Sequence, residues 1–344
     1  MKVLVIGGVA AGTKTAAKLK REDRSAEVTI ISRDKDISYA GCGLPYYVGG
    51  MIAEPGDLIV NTPQKYAALT GVTVHTGKEA VRLDAKARTV AVKDVAGGAE
   101  ETLSYDKLVI AVGASPAVPP VKGMALSGVF TMRTPEDAIR VRAYAQEHDV
   151  KKAVVVGAGF IGLEMAENLQ QQGIAVTVID FAPQILPNIL DAEMAAYGKK
   201  HLLQKGIRVI TGTKAEEIVG EGSVTAVKTS AGTLSCGLLI MAAGIRPNTA
   251  FLEGSGLEME RGTIIVDRQM RTNLPDVYAA GDCVMVTNRI TGAPQWSPMG
   301  SSANLEGRML AQVLAGAQKA YPGVLGTGVV KLPGLNCGRT GLTQ

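Results

Sequence analysis

The chain has 344 residues, 46% of them hydrophobic and 20% charged, which excludes a disordered or low-complexity protein. At about 100–200 residues per domain, that length implies two or three domains. The net charge of +4 is too small to point to nucleic acid, but it suits a small anionic ligand.

The first residues, MKVLVIGG, run straight into a buried strand and a glycine turn, so no signal peptide is expected. The segment GTKTAAKLKRE reads as a helix and AEVTIIS as the next strand. Further on, YDKLVIAVGASP ends in a strand and passes into the proline-rich connector SPAVPPVKG. The pattern then restarts, because KKAVVVGAGFIGLEMAENLQQQGIAVTVID is again strand, glycine turn, helix and strand. LLIMAAGIRPN repeats the LVIAVGASP theme, and TNLPDVYAAGDC reads as a return to the first domain. The closing segment, TGVVKLPGLNCGRTGLTQ, opens a new strand pattern and stops. Alternation of strands and helices predicts an α/β fold with parallel sheets, built from two related nucleotide-binding units. The longest apolar run, LLIMAAGI, is far short of the roughly 20 residues of a membrane span, so no membrane is expected. Cysteines at 42, 236, 283 and 337 show no CxxC spacing, which argues against a metal site or a disulfide framework and for a reduced, cytoplasmic setting. Cys236, Cys283 and Cys337 are expected to be structural.

The second glycine motif carries the most chemistry. Gly157, Gly159 and Gly162 form G-x-G-x-x-G between a strand and a helix. The first makes the turn, the second lets backbone approach a pyrophosphate, and the third lets helix and strand pack closely. Asp180 ends the next strand, where an acid accepts a ribose 2′-hydroxyl and repels a 2′-phosphate, and no arginine lies in the next six residues. NADH is therefore expected over NADPH. In the first motif, GGVAAG, Gly7 and Gly12 stand at the outer positions, Val9 takes the middle one, and Ser32 stands where an acid is expected.

TNLPDVYAAGDC has the form of the second flavin motif of two-dinucleotide flavoproteins, and Cys42 lies between Gly41 and Gly43 in SYAGCGLPY, ten residues past the second strand. Together these segments make the chain, over essentially its whole length, resemble the single-cysteine pyridine nucleotide-disulfide oxidoreductases. That branch holds coenzyme A-disulfide reductases, NADH oxidases, NADH peroxidases and NADH-dependent polysulfide reductases. Most flavin disulfide reductases carry a partner cysteine five residues on, where this chain has Tyr47.

The resemblance implies an FAD domain split over residues 1–112 and 247–325, an NAD domain at 113–246, and at 326–344 the start of a truncated C-terminal dimerisation domain. It implies FAD contacts at Gly7, Gly8, Ala10, Ala11, Gly12, Ser32, Arg33, Cys42, Val81, Ala111, Gly113, Arg133, Gly281 and Asp282, whose carboxylate would bond the ribitol. NAD contacts would fall on Gly157, Gly159, Phe160, Ile161, Gly162, Glu164, Asp180 and Gly244, with Phe160 and Glu164 shaping the nicotinamide path. Cys42 would be the redox-active group, forming a mixed disulfide or a sulfenic acid that reduced flavin resolves. A helix starting just after it would lower its pKa.

Peroxidases and many oxidases of the branch carry a histidine where this chain has Ala10. That favours coenzyme A disulfide, or a coenzyme A persulfide or polysulfide, as the substrate. Lys14, Lys18 and Arg21 share a helix face where the relatives bind coenzyme A phosphates; a solvated face with Lys18 paired to Glu22 is the other reading. Ser38 and Asn304 match further coenzyme A contacts, whereas Gly41 departs from the common asparagine. His75, His148 and His201 lie near no motif. Two other functions stay open: an NADH oxidase reducing oxygen, and a chain that binds FAD and NADH without disulfide turnover or that passes electrons to a protein. Relatives are homodimers, but a truncated last domain would leave this chain largely monomeric, its final strand without sheet neighbours and its disulfide turnover slow.

Overall fold

The computed structural model describes residues 1–343, which divide into two compact units. The first comprises Met1–Tyr39, Ile59–Ser115 and Arg246–Gly326. Its centre is a five-stranded parallel sheet in the order Val277–Ala279, Lys107–Ile110, Lys2–Ile6, Glu27–Ser32 and Thr73–Thr76. Val3, Leu4, Val5, Ile30, Leu108 and Val109 are buried, as a parallel sheet covered on both faces requires. Helix Ala10–Glu22 crosses over from the first strand and packs on helix Gly300–Leu314. That packing is close because Gly307 lacks a side chain: a Cβ there would lie 2.6 Å from the Ala11 carbonyl oxygen. The strands Lys78–Asp84, Thr89–Asp94 and Glu100–Ser104 form an antiparallel annex.

The second unit comprises Ala40–Leu58, Pro116–Ile245 and the chain from Thr327. Its sheet is again parallel and five-stranded, in the order Arg208–Ile210, Ala175–Ile179, Lys152–Val156, Leu238–Met241 and Val129–Phe130. Helix Phe160–Gln171 is the crossover. The two sheets repeat one plan, with the first strand of the glycine motif flanked by its crossover partner on one side and by a returning strand on the other. The LVIAVG and LLIMAAG segments, whose likeness predicts a duplication, are those two returning strands. Among the described residues no helix is long and apolar enough to cross a membrane.

Two segments depart from the sequence expectation. Residues 40–58, read as part of the first domain, belong to the second unit, because Leu44, Tyr47, Val48 and Leu58 bury in the same core as Val141, Leu163 and Leu169. Arg142 fixes this segment, its guanidinium 4.7 Å above the Tyr47 ring and donating to the carbonyls of Ile52 (3.3 Å) and Ala53 (2.9 Å). The closing strand is also not left unpaired. Gly328–Leu332 pairs antiparallel with Leu335–Arg339, and Val330 and Leu332 bury in the second unit's core. The hairpin is held further by His201 Nε2, 2.7 Å from the Pro333 carbonyl oxygen, and by Arg339 donating to that of Asn188 at 3.0 Å.

Candidate dinucleotide and thiol sites

Each unit contains the same glycine cradle. Gly7 has φ +109° and Gly157 φ +113°, a conformation that strains any side chain. A Cβ on Gly7 would lie 2.1 Å from the Ala111 carbonyl oxygen, and one on Gly157 2.2 Å from that of Ala242. Gly12 and Gly162 back onto these turns, each with its would-be Cβ 1.9 Å from the carbonyl oxygen of the first glycine. Gly159, the middle glycine, would meet nothing within 4 Å, so its side of the turn is open.

The helices that leave the cradles, Ala10–Glu22 and Phe160–Gln171, have no side-chain cap and no acid in the first turn. Helix Pro135–Glu147 by contrast has a full capping box between Thr134 and Asp137, and Thr62 caps Pro63–Thr70. Two uncapped helix starts behind side-chain-free turns leave backbone N–H groups available to an anion. The residues present therefore fit a dinucleotide pyrophosphate at each cradle.

In the first unit, Ser32 ends its strand buried at 6% exposure, and Arg33 lies exposed near Asp34 (3.6 Å) and Glu79 (3.7 Å). Gly8 is narrow, its would-be Cβ 2.6 Å from Ile37 Cγ2, and Val81 sits at the bulge between Ala80 and Arg82. Ala111 and Gly113 follow the returning strand, Gly113 with φ +62° and open space beside it. Gly281, at φ +90°, comes close to the helix start: a Cβ there would lie 3.0 Å from that of Ala11. Its N–H donates to the buried Glu306 carboxylate at 2.7 Å. Burial pushes Asp282 up to about 6 and Glu306 up to about 7. Sequence reasoning missed Glu306, which supports the Gly281–Asp282 turn from 25 residues away. Arg133 lies in the second unit, where its N–H donates to Asp137 at 3.1 Å.

In the second unit, Phe160 and Ile161 begin the helix, and Gly244 holds φ +121° after the returning strand. The Asp180 carboxylate accepts from the N–H of Ala158 (2.5 Å) and of Ala182 (2.7 Å), which aims it back over the glycine turn.

Cys42 is exposed in the 3-10 turn Gly41–Gly43, just ahead of the short helix Leu44–Val48. Gly43 is packed against Ile52, Ala40 and Leu58, whereas a side chain at Gly41 would meet nothing. Four residues on from the cysteine, Tyr46 lies on the short helix Leu44–Val48, which packs against helix Phe160–Gln171, the helix of Glu164. Burial, then the Glu167 charge, push Glu164 up to about 7. Burial first, then the charges of Glu164, Glu167 and Cys42, raise the Tyr46 phenol. Burial raises Glu167 too, offset by Lys331 at 3.7 Å, and its Oε2 and the neighbouring Asn168 Oδ1 are buried without a hydrogen-bond partner. Glu164, expected on the nicotinamide path, thus stands on the helix that packs against the cysteine's own. The other thiols are remote in character: burial pushes Cys236 up to about 11 and Cys283 up to about 12.

The three residues of the basic stripe have different surroundings. Lys18 pairs with Glu22, Lys14 lies beside Gly307 at the helix contact, and Arg21 lines a cavity with Lys20, Arg24, Leu69 and Thr70. Ser38, at φ +50°, accepts from the Asn61 amide at 3.4 Å and donates its N–H to the Gly8 carbonyl at 2.9 Å. The Asn304 amide turns back to the Gly300 carbonyl of its own helix at 2.8 Å. His148 stacks on Tyr144 with ring centres 4.0 Å apart.

Residues 1–303 match the family model described as pyridine nucleotide-disulphide oxidoreductase. An NADH oxidase of Methanocaldococcus jannaschii is 37% identical over all of this chain and 76% of its own length. An NAD(P)H coenzyme A polysulfide/persulfide reductase of Pyrococcus horikoshii is 35% identical, with the same coverage. Among solved structures, an NAD-dependent persulfide reductase from A. fulgidus superimposes with a TM-score of 0.96 at 37% identity. This chain is covered completely in that comparison but spans only 64% of the other chain.

Proposed function

The chain belongs to the pyridine nucleotide-disulphide oxidoreductase family, and we propose that it uses NADH, through FAD, to reduce a disulfide or sulfane-sulfur substrate at Cys42. The first unit would hold FAD and the second NADH. The observation that carries this reading is an exposed cysteine on a glycine-flanked turn, in a chain with two matched dinucleotide cradles. FAD, when bound, accepts a hydride from the nicotinamide and passes an electron pair on to sulfur.

The chain's own residues do the rest. Uncapped helix starts hold the two pyrophosphates, Asp282 bonds the ribitol, and Asp180 takes the ribose hydroxyls and repels a 2′-phosphate. Cys42 attacks the substrate sulfur. Coenzyme A disulfide, or a coenzyme A persulfide, is the proposed substrate. Its support is the absence of a histidine at Ala10 and the name of the Pyrococcus relative. Ser38, Asn304 and the basic helix face are the proposed coenzyme A contacts, with Lys14 and Arg21 better placed than the paired Lys18.

A second reading, reduction of oxygen, is favoured by the name of the Methanocaldococcus relative. The two separate in one experiment on the FAD-loaded chain. Cys42→Ser is expected to stay yellow and to be reduced by NADH, while thiol release from coenzyme A disulfide falls by at least about 100-fold. Oxygen consumption with NADH alone, faster than thiol release, would favour the oxidase. Normal disulfide turnover by Cys42→Ser would remove the cysteine from the chemistry.

A further inference from the structure

The two glycine cradles are built alike, so neither alone separates a flavin dinucleotide from a nicotinamide one. The first unit adds the turn Gly281–Asp282 beside its cradle. A Cβ on Gly281 would lie 3.0 Å from that of Ala11, in the first turn of helix Ala10–Glu22. The Asp282 side chain accepts no hydrogen bond from the described residues, and burial alone raises its carboxyl. Its direction is therefore set by its own backbone.

That backbone is held on both sides of the Asp282 Cα. Before it, the Gly281 N–H donates at 2.7 Å to the carboxylate of Glu306, a residue only 1% exposed. After it, the Asp282 carbonyl accepts from the Trp296 indole Nε1 at 2.8 Å. Both partners are fixed by the fold. Glu306 precedes Gly307, the residue that brings helix Gly300–Leu314 to within contact of the Ala11 carbonyl. Trp296 ends the strand Pro294–Trp296, which pairs antiparallel with Val284–Thr287 and so returns to the turn that this strand left. Inside the turn, the Val284 N–H donates to the Gly281 carbonyl at 3.1 Å, and just before it the Ala280 N–H donates to that of Ile110 at 3.0 Å. A buried carboxyl costs stability, and a hydrogen bond from one backbone N–H offsets only part of that cost. A leucine would fill the same helix position without it, so the contact that Glu306 makes points to placement of the turn.

We infer that Glu306 and Trp296 are positioning residues that clamp Asp282 toward the ribitol of FAD, and that this clamp makes the first cradle select a flavin dinucleotide. The inference rests on the reading of the first unit as the FAD site. Neither residue touches the flavin in this scheme; each acts through the Asp282 carboxylate, by fixing the peptide on its own side of that residue. A hydrogen bond from a ribitol hydroxyl needs its acceptor held in direction, and a carboxylate on a loose turn would give up part of that bond.

The test compares FAD with ADP, which carries the adenosine and pyrophosphate of FAD but no ribitol. Both affinities are read on the FAD-loaded full chain from the flavin fluorescence that appears on release: FAD by dilution, ADP by displacement. Their ratio cancels any general loosening of the cradle. Asp282→Ala is expected to lower FAD affinity relative to ADP at least about tenfold, the loss of a hydrogen bond to a charged acceptor. Glu306→Leu and Trp296→Phe should each lower the same ratio about fivefold, whereas Glu306→Gln, which keeps an acceptor for the Gly281 N–H, should stay within about twofold of wild type. With Asp282→Ala already in place, the Glu306 and Trp296 changes should move the ratio by less than about twofold, because they act through that carboxylate. Equal weakening of FAD and ADP by these variants, or an undiminished effect on the ratio in the Asp282→Ala background, would overturn the clamp. Trp296 is only partly buried, so Trp296→Phe decides the matter if Glu306→Leu does not fold. A lowered ratio in Asp282→Ala alone would remove the clamp and leave the FAD site standing. An unchanged ratio in Asp282→Ala would remove the ribitol contact itself, and the clamp with it.

Discussion

Three glycines that look alike in G-x-G-x-x-G perform separate physical tasks. A Cβ on Gly162 would sit 1.9 Å from a backbone oxygen that cannot move without unmaking the turn. Gly162→Ala is therefore expected to cost roughly 2–4 kcal/mol, read as a large fall in melting temperature. Gly159→Ala meets open space at φ −84°, so its melting curve should stay within about 0.5 kcal/mol of wild type while NADH affinity drops at least tenfold in a titration. Asp180→Ala should narrow the preference for NADH over NADPH about tenfold in steady-state assays, since a carboxylate beside a 2′-phosphate is removed. Cys42 and the glycines were legible because their neighbours in sequence carry the signal. Glu306 was not legible as support for the Gly281–Asp282 turn, since it stands 25 positions away and only the packing of helix Gly300–Leu314 brings it there.

Helix starts and the closing hairpin carry the next scale. Pro135–Glu147 begins with a capping box, so Thr134→Ala is expected to cost about 1 kcal/mol, whereas the uncapped helix starts at the two cradles hold that potential in reserve for ligand phosphates. The hairpin Gly328–Arg339 contributes two fully buried side chains to the second unit's core. Leu332→Ala should therefore cost roughly 2–4 kcal/mol in chemical denaturation. Less than about 1 kcal/mol would mean that the hairpin is dispensable to that core. The strand pattern was legible in VVKL, but its destination was not, because the alternation of burial along a strand says which face is covered and not by what. The segment 40–58 was misplaced for the same reason: Leu44, Tyr47 and Val48 read as apolar without naming the core they enter.

Over the whole molecule, the half-buried and buried carboxyls set the direction of pH dependence. Asp282 is raised to about 6 and Glu164 and Glu306 to about 7, each above its value in an unfolded chain. Between about pH 4 and 7 the folded chain therefore binds more protons than the unfolded one, and stability falls as pH rises through that window. Each group is expected to contribute on the order of 1 kcal/mol, so the cofactor-free chain should melt several degrees lower at pH 8 than at pH 5. A melting temperature that rises over this range would contradict the partial desolvation of these groups. The α/β class and the duplicated plan were legible, because each unit repeats strand, turn and helix in sequence. The interleaving of segments has a kinetic consequence. The edge strand Val277–Ala279 must join Lys107–Ile110 to finish the first sheet, and residues 40–58 must wait for residues beyond 116 to find their core. Neither unit can close while the ribosome has delivered only the first half of the chain. A nascent chain shorter than about 280 residues thus shows a bare hydrophobic sheet edge to the cell, and refolding should be slow and sensitive to protein concentration.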